Sequence, residues 1–156
     1  MTHNQFIKLF TDIATNHRDI NSFGNGDLWE YMANEEITRD PVVLWIVLND
    51  DSIVGGVESI KYTFVVMDMV NKDNSNLDEV LSDTLRISKD IIAILRQPYY
   101  EDYFEIDKNF QLHDFNEKFD SEFAGWQFDI AFKQPFIYDQ CQANISSLPT
   151  ITGINN

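Results

Sequence analysis

Cys141, His17 and His113 are the residues from which this chain could assemble a thiol–imidazole pair, the usual start of nucleophilic catalysis. A catalytic thiol needs a neighbouring base and an electropositive pocket that holds the thiolate, whereas Cys141 lies beside Asp139 in an acidic chain. No spacing brings either histidine to it, so Cys141 reads as a packed or interface cysteine. His3, His17 and His113 are dispersed and lack the paired spacing of zinc ligands. Asp68 to Glu79 has the length of a calcium loop and ends in a glutamate, but Val70 and Lys72 occupy early ligand positions and no central glycine is present. That stretch reads as a solvated loop leading into a helix cap. Glu101 and Asp102, set among tyrosines in YYEDYFEID, resemble the paired carboxylates of a sugar cleft. Adjacent positions on an extended chain point apart, which makes a solvated face or subunit contact the plainer reading. GNGD at Gly24 to Asp27 and the Gly55-Gly56 pair are turn signals without the spacing of a phosphate cradle. No catalytic, cofactor-binding or metal-ligating residue is assigned, and the expectation is a protein that is not an enzyme and carries no cofactor.

The elements that would position any site begin with a first helix in NQFIKLFTDIATNH. Its apolar positions Phe6, Phe10, Ile13 and Ala14 follow helical spacing, Ile7 and Leu9 widen the stripe, and Thr2 or Asn4 can cap it. His17 to Phe23 is a candidate short strand broken by GNGD, and LWEYMANEEITRD is ambiguous between loop and short helix. After Pro41, VVLWIVL reads as a strand covered on both faces, limited by Asn49-Asp50-Asp51. Gly55-Gly56 allows reversal into ESIKYTFVVMD, where Ile60, Tyr62, Phe64 and Val66 share one face and Ser59, Lys61 and Thr63 the other. These two strands predict an antiparallel hairpin.

The clearest helix lies in NLDEVLSDTLRISKDIIAILRQP, with Leu77, Val80, Leu81, Thr84, Leu85, Ile91, Ile94 and Leu95 on one face. Asn76 with Glu79 suggests a capping box, and Pro98 stops the helix. In NFQLHDFNEKF the alternation changes phase between Leu112 and Phe115, which predicts a strand with a bulge, although Leu112, Phe115 and Phe119 also fit a helix. Trp126, Phe128, Ile130 and Phe132 alternate with polar or small residues in a last strand ended by Pro135. The predicted fold is α+β: a mostly antiparallel or mixed sheet of four to five strands with two principal helices against one face.

The 156 residues fit one compact domain, expected over residues 1–138, and a composition 44% hydrophobic and 13% aromatic is that of a folding chain. Twenty-six acids against 11 bases give a net charge of −15, and the bases are scattered from Lys8 to Lys133. Direct capture of nucleic acid through its phosphates is thereby disfavoured. An acidic surface suits a conduit past which DNA moves, or an imitation of DNA that occupies a DNA-binding protein. The N-terminal MTHNQFIKLF lacks the pattern of a signal peptide, and VVLWIVL is too short to span a bilayer. A soluble protein made in the cytoplasm is expected, without membrane contact.

From Asp139 onward the chain is rich in Ser, Thr, Asn and Gln with isolated Ile145, Leu148, Ile151 and Ile154. Residues 139–156 read either as a frayed terminus or as an arm that orders against another subunit.

Three segments carry a resemblance: VVLWIV followed by YTFVVMDMV, the helix NLDEVLSDTLRISKDIIAIL, and the ending GWQFDIAFKQPFIYDQCQ. In these the chain, from roughly Phe6 to Gln142, resembles the neck and tail-completion ring proteins of tailed phages, tail terminator-like, as in crAss-like phages. It departs from that pattern after the cysteine, where Gln142 and Ala143 stand in place of a proline. The resemblance implies a virion structural protein at the neck, joining portal to tail. Its partners would be identical subunits in a six- or twelve-fold ring, the portal or adjacent neck and tail proteins, and DNA passing through the lumen without specific binding. It implies that Trp126 anchors the sheet and that Phe136, Ile137, Tyr138 and the neighbourhood of Cys141 lie at or beside a neighbouring subunit, exposed aromatics being frequent interface anchors. The alternative from a different class is an acidic DNA-mimic inhibitor of a host DNA-binding protein.

Overall fold

A computed structural model describes residues 1–28, 42–118 and 122–138. Most of the ambiguous LWEYMANEEITRD stretch, Phe119, Cys141 and the whole of residues 139–156 lie outside the described residues. So does the far side of the expected domain boundary at 138.

The first helix, α1 (His3–Asn16), starts where Thr2 and Gln5 cap one another: the Gln5 amide donates to Thr2 Oγ1 at 3.4 Å and the Thr2 amide to Gln5 Oε1 at 2.7 Å. Its buried stripe is Phe6, Phe10, Ile13 and Ala14, as their spacing predicts. The strands are β1 (Ser22–Asn25), β2 (Val43–Val54) and β3 (Val57–Met69), followed by α2 (Leu77–Leu95). A 3-10 turn, Pro98–Tyr100, then leads to β4 (Glu105–Ile106), β5 (Leu112–Lys118) and β6 (Glu122–Pro135). Among the described residues the sheet is six-stranded and mixed, in the order β1-β2-β3-β6, with β4 and β5 both pairing the outer side of β6. β1 runs parallel to β2, and every other pairing is antiparallel.

The α+β class holds, with both helices on one face of the sheet. There Phe6 and Phe10 of α1 and Ile87, Ile91 and Leu95 of α2 join Tyr62, Phe64, Phe128 and Phe132 in one buried cluster. Ring pairs knit this layer, with centroids 4.9 Å apart for Phe6–Phe132 and 5.0 Å for Phe10–Phe64. Such pairs each add about 0.5–1.5 kcal/mol beyond the area they bury. The opposite face holds a smaller cluster of Val43, Trp45, Val65, Met67 and Phe123. β2 is therefore covered on both faces from Val43 to Ile46, whereas Leu48, at the end of the apolar run expected to be covered, is exposed.

Several expectations are corrected. Among the described residues the sheet has six strands rather than four to five, because the two-residue β4 is too short to leave an alternation in the sequence. β2 does not stop at Asn49-Asp50-Asp51: pairing with β3 carries it to Val54, and the register shifts between Leu48 and Asp50. Asn49 is the extra residue of that bulge, and its side-chain amide donates to Thr63 Oγ1 at 3.1 Å. β5 is a strand, but without a bulge, its register against β6 being unbroken from Leu112↔Phe128 to Lys118↔Glu122. β1 begins at Ser22, later than His17, because the Asn21 and Ser22 amides both reach the Val42 carbonyl, and it runs through Gly24 to Asn25 before Gly26 turns away. The capping box at Asn76 and Glu79 does not form. Asn76 Oδ1 instead accepts the Asn71 amide at 2.7 Å, holding the preceding turn.

The buried stripe of α2 also includes Ile87 and Ser88, outside the predicted face. Thr84 and Ser88 tolerate complete burial because their hydroxyls donate to the carbonyls four residues back, at 2.6 and 2.7 Å. No helix among the described residues is long and apolar enough to cross a membrane.

Candidate subunit-interaction surface

β2 and β3 meet at Gly55 and Gly56, with φ of +60° and +76°, the left-handed pair that a two-residue hairpin turn demands. β6 runs alongside to the same end: Val57 pairs with Pro135, and the Phe136 amide donates to the Gly56 carbonyl at 2.8 Å. One end of the sheet therefore gathers the hairpin tip and the start of the C-terminal segment. Side chains that would ordinarily be covered stand in water there: Ile53 is 45% exposed, Val54 75%, Val57 42%, Ile137 69% and Tyr138 75%. Phe136 is half-buried, its ring set edge-on to Tyr138 at 5.0 Å. Leu48, Met69, Tyr99 and Tyr103 are exposed elsewhere, but the grouping of five such side chains at one end of a highly acidic molecule is a usual mark of an association surface.

Beside it runs an open strand edge. β1 covers β2 only from Val43 to Ile46, so from Val47 to Val54 β2 has no partner strand on its outer side among the described residues. The bulge at Asn49 and the exposed acids Asp50 and Asp51 sit on this edge, features that discourage indiscriminate strand pairing.

A groove of about 950 Å³ lies between α1 and the C-terminal part of α2. Leu9 and Ile13 from α1 with Ala93 and Ile94 from α2 contribute its apolar lining, and Tyr99, Tyr100 and Tyr103 form an aromatic wall. A side-chain hydrogen bond with Tyr99 pushes the Tyr103 phenol above the ordinary tyrosine range. Lys8, Asp12, Arg18, Asp19 and Asp90 line the groove; Lys8 Nζ lies 2.7 Å from Asp12, and Arg86, outside the lining, lies 3.0 Å from Asp19 and 3.6 Å from Asp90.

No family model matches the chain, and no curated protein matches it. The functional reading therefore rests on the residues themselves.

The groups weighed for chemistry are held in local structure. His17 closes α1 and lies 3.3 Å from Asp90, while exposed His113 sits on β5 opposite Gln127. Cys141, their prospective partner, is outside the described residues. In the calcium-loop stretch, Asp68 Oδ1 accepts the Val42 and Met69 amides at 3.3 and 2.7 Å and Asp73 accepts the Ser75 amide at 3.1 Å. Hydrogen bonds from the Ser75 side chain and amide hold the Asp73 carboxyl below the usual range. Among the described residues no group of three or more His, Cys, Asp or Glu side chains is arranged so that it could hold a metal ion.

Of the predicted interface residues, Phe136, Ile137 and Tyr138 fall together at the exposed end. Trp126, the expected anchor of the sheet, stands apart from them: it is half-buried, and its indole N–H donates to the Leu81 carbonyl at 2.8 Å, binding β6 to α2. Val54 and Val57 belong to the exposed group yet escape sequence reading, because alternation assigns their faces without revealing how far each is covered.

Proposed function

We propose that this chain is a virion structural protein, a ring component of the neck that joins portal to tail in a tailed phage. It acts by fitting against copies of itself and adjacent neck proteins, with surface shape in place of reactive groups. The observation that carries the reading is the exposed apolar end at Val54, Val57, Ile137 and Tyr138 beside the open edge of β2. An isolated acidic monomer gains nothing from such an end, whereas a subunit seated against others buries it. The net charge of −15 fits the same role, since acidic walls repel the phosphates of DNA in transit.

Mass spectrometry and density mapping of purified particles of the encoding phage test the proposal. The expected result is several copies of the chain per particle, located between head and tail. Consistent absence from particles, with the chain recovered instead on a basic host protein, would replace this reading with that of a DNA mimic.

A further inference from the structure

We propose that the groove between α1 and α2 receives residues 140–156 of a second copy of this chain, an inference that rests on the assembly role above. The first ground is a break in composition. All 26 acids and 11 bases precede residue 140, and residues 140–156 carry no charged side chain, with Ile145, Leu148, Ile151 and Ile154 recurring every third residue. A three-residue spacing matches one turn of a polyproline II strand, so in that conformation the four aliphatic side chains form one stripe. Two bodies each carrying −15 repel one another, and an uncharged segment is the part of a second copy that approaches with least Coulomb cost.

The second ground is the chemistry of the groove. Its apolar lining of Leu9, Ile13, Ala93 and Ile94 and its tyrosine wall fit an aliphatic stripe. The charged side chains of the lining, Lys8 and Arg18 against Asp12, Asp19 and Asp90, come close to balance, which fits a neutral occupant better than an ionic one.

The third ground is position. Gln134 Nε2 donates to the Met1 carbonyl at 2.7 Å, and Met1 lines the groove. Tyr103 lines both the groove and the neighbouring cleft formed by Val57 and Pro135. Gln134, close to the end of the described chain, thus touches a residue of the groove. The Phe136 amide bonds the Gly56 carbonyl, so the described chain closes along the hairpin tip, at the exposed end that a second copy would cover. Seating a second copy at this end would also cover Val54, Ile137 and Tyr138, which an arm folded back within one copy does not require.

The test uses the full chain carrying a photo-crosslinking side chain in place of Leu148, as an equal mixture of light and heavy isotope forms, with sedimentation velocity recorded on the same sample. The expected result is crosslinks from position 148 to groove peptides around Leu9 or Ala93, with light–heavy pairs present. Ala93→Glu, an exposed position, should reduce those crosslinks and weaken self-association about tenfold without moving the thermal midpoint. Crosslinks to the groove only within one isotope form would assign the segment to its own chain and overturn the proposal. Absence of groove crosslinks, or an undiminished yield in a folded Ala93→Glu variant, would overturn it as well. If the chain still assembles or is found in particles, only the groove assignment fails; if it does neither, the assembly reading fails with it.

Discussion

The Trp126 indole donates a hydrogen bond to the Leu81 carbonyl across the interface of sheet and helix, at 2.8 Å. Trp126 lies on the helix-bearing face of β6 opposite Val66, and Leu81 lies in the second turn of α2, so this bond helps set the angle at which α2 meets the sheet. Trp126→Phe keeps most of the apolar contact and removes the donor. The expected cost is about 0.5–1.5 kcal/mol of unfolding free energy, read as a lower urea midpoint at unchanged slope. Self-association should be unaffected, which separates Trp126 as an anchor of the sheet from the residues offered for subunit contact.

Gly125 illustrates a second constraint of the same strand. A Cβ at this position would stand 1.9 Å from the Val66 carbonyl oxygen and 2.9 Å from Met67 Cα, so β6 approaches β3 more closely than any other residue allows. The obstruction is backbone, which cannot swing aside. Gly125→Ala should therefore cost about 1–3 kcal/mol, checked by thermal or urea unfolding. By contrast, a Cβ at Gly56 meets nothing within 4 Å, and the loss there comes from its positive φ.

The parts of the fold visible in the sequence are those where one periodicity governs a long segment. Phe6, Phe10, Ile13 and Ala14 in α1 and Ile60, Tyr62, Phe64 and Val66 in β3 announce their faces because one side of each element is buried along its length. The two-residue β4 carries no period to detect, and its pairing with β6 is set by the turn through Tyr100 and Phe104. The bulge at Asn49 is hidden for another reason: polar residues in series look like a strand end, while the pairing partner that keeps them extended lies in β3. The expected capping box at Asn76 fails because the Asn71 amide competes for the same side-chain oxygen. At the interaction surface, Ile137 and Tyr138 are legible as apolar residues in a non-periodic stretch. Their meeting with Val54 and Val57 depends on β6 ending beside the hairpin turn, a matter of register that no local pattern encodes.

Tyr62 gives the fold a measurable dependence on alkaline pH. Burial, then the negative charges of Asp51 and Glu58, push its phenol from 10.0 up to about 12, and its hydroxyl lies 2.9 Å from His3 Nδ1. Below pH 10 the phenol is neutral in both states and its contribution is fully present. Between pH 10 and 12 the unfolded chain loses the proton first, so the folded state binds more protons and stability falls as pH rises. The full loss is on the order of 3 kcal/mol above pH 12. Tyr62→Phe should be less stable than the parent at neutral pH, through the lost His3 bond, yet show a shallower decline from pH 10 to 12. Chemical unfolding across that range checks it; parallel slopes would mean that Tyr62 ionises as it does in the unfolded chain.

The exposed end makes the last prediction. Val54 and Ile137 are each at least two-thirds uncovered, at 75% and 69%, so neither contributes much to the packing of one copy. Val54→Asp with Ile137→Asp should change unfolding free energy by no more than about 0.5 kcal/mol per site, as surface substitutions do. In an assembled ring the same carboxylates would be buried against a second acidic subunit, with desolvation and like-charge repulsion both opposing contact. The double variant should therefore remain folded and monomeric under conditions in which the parent associates, and should not enter particles when supplied in place of it. Sedimentation velocity and the protein content of purified particles measure the two effects. Normal incorporation of the double variant would move the subunit contact away from this end of the sheet, toward the open edge of β2 or the helical face.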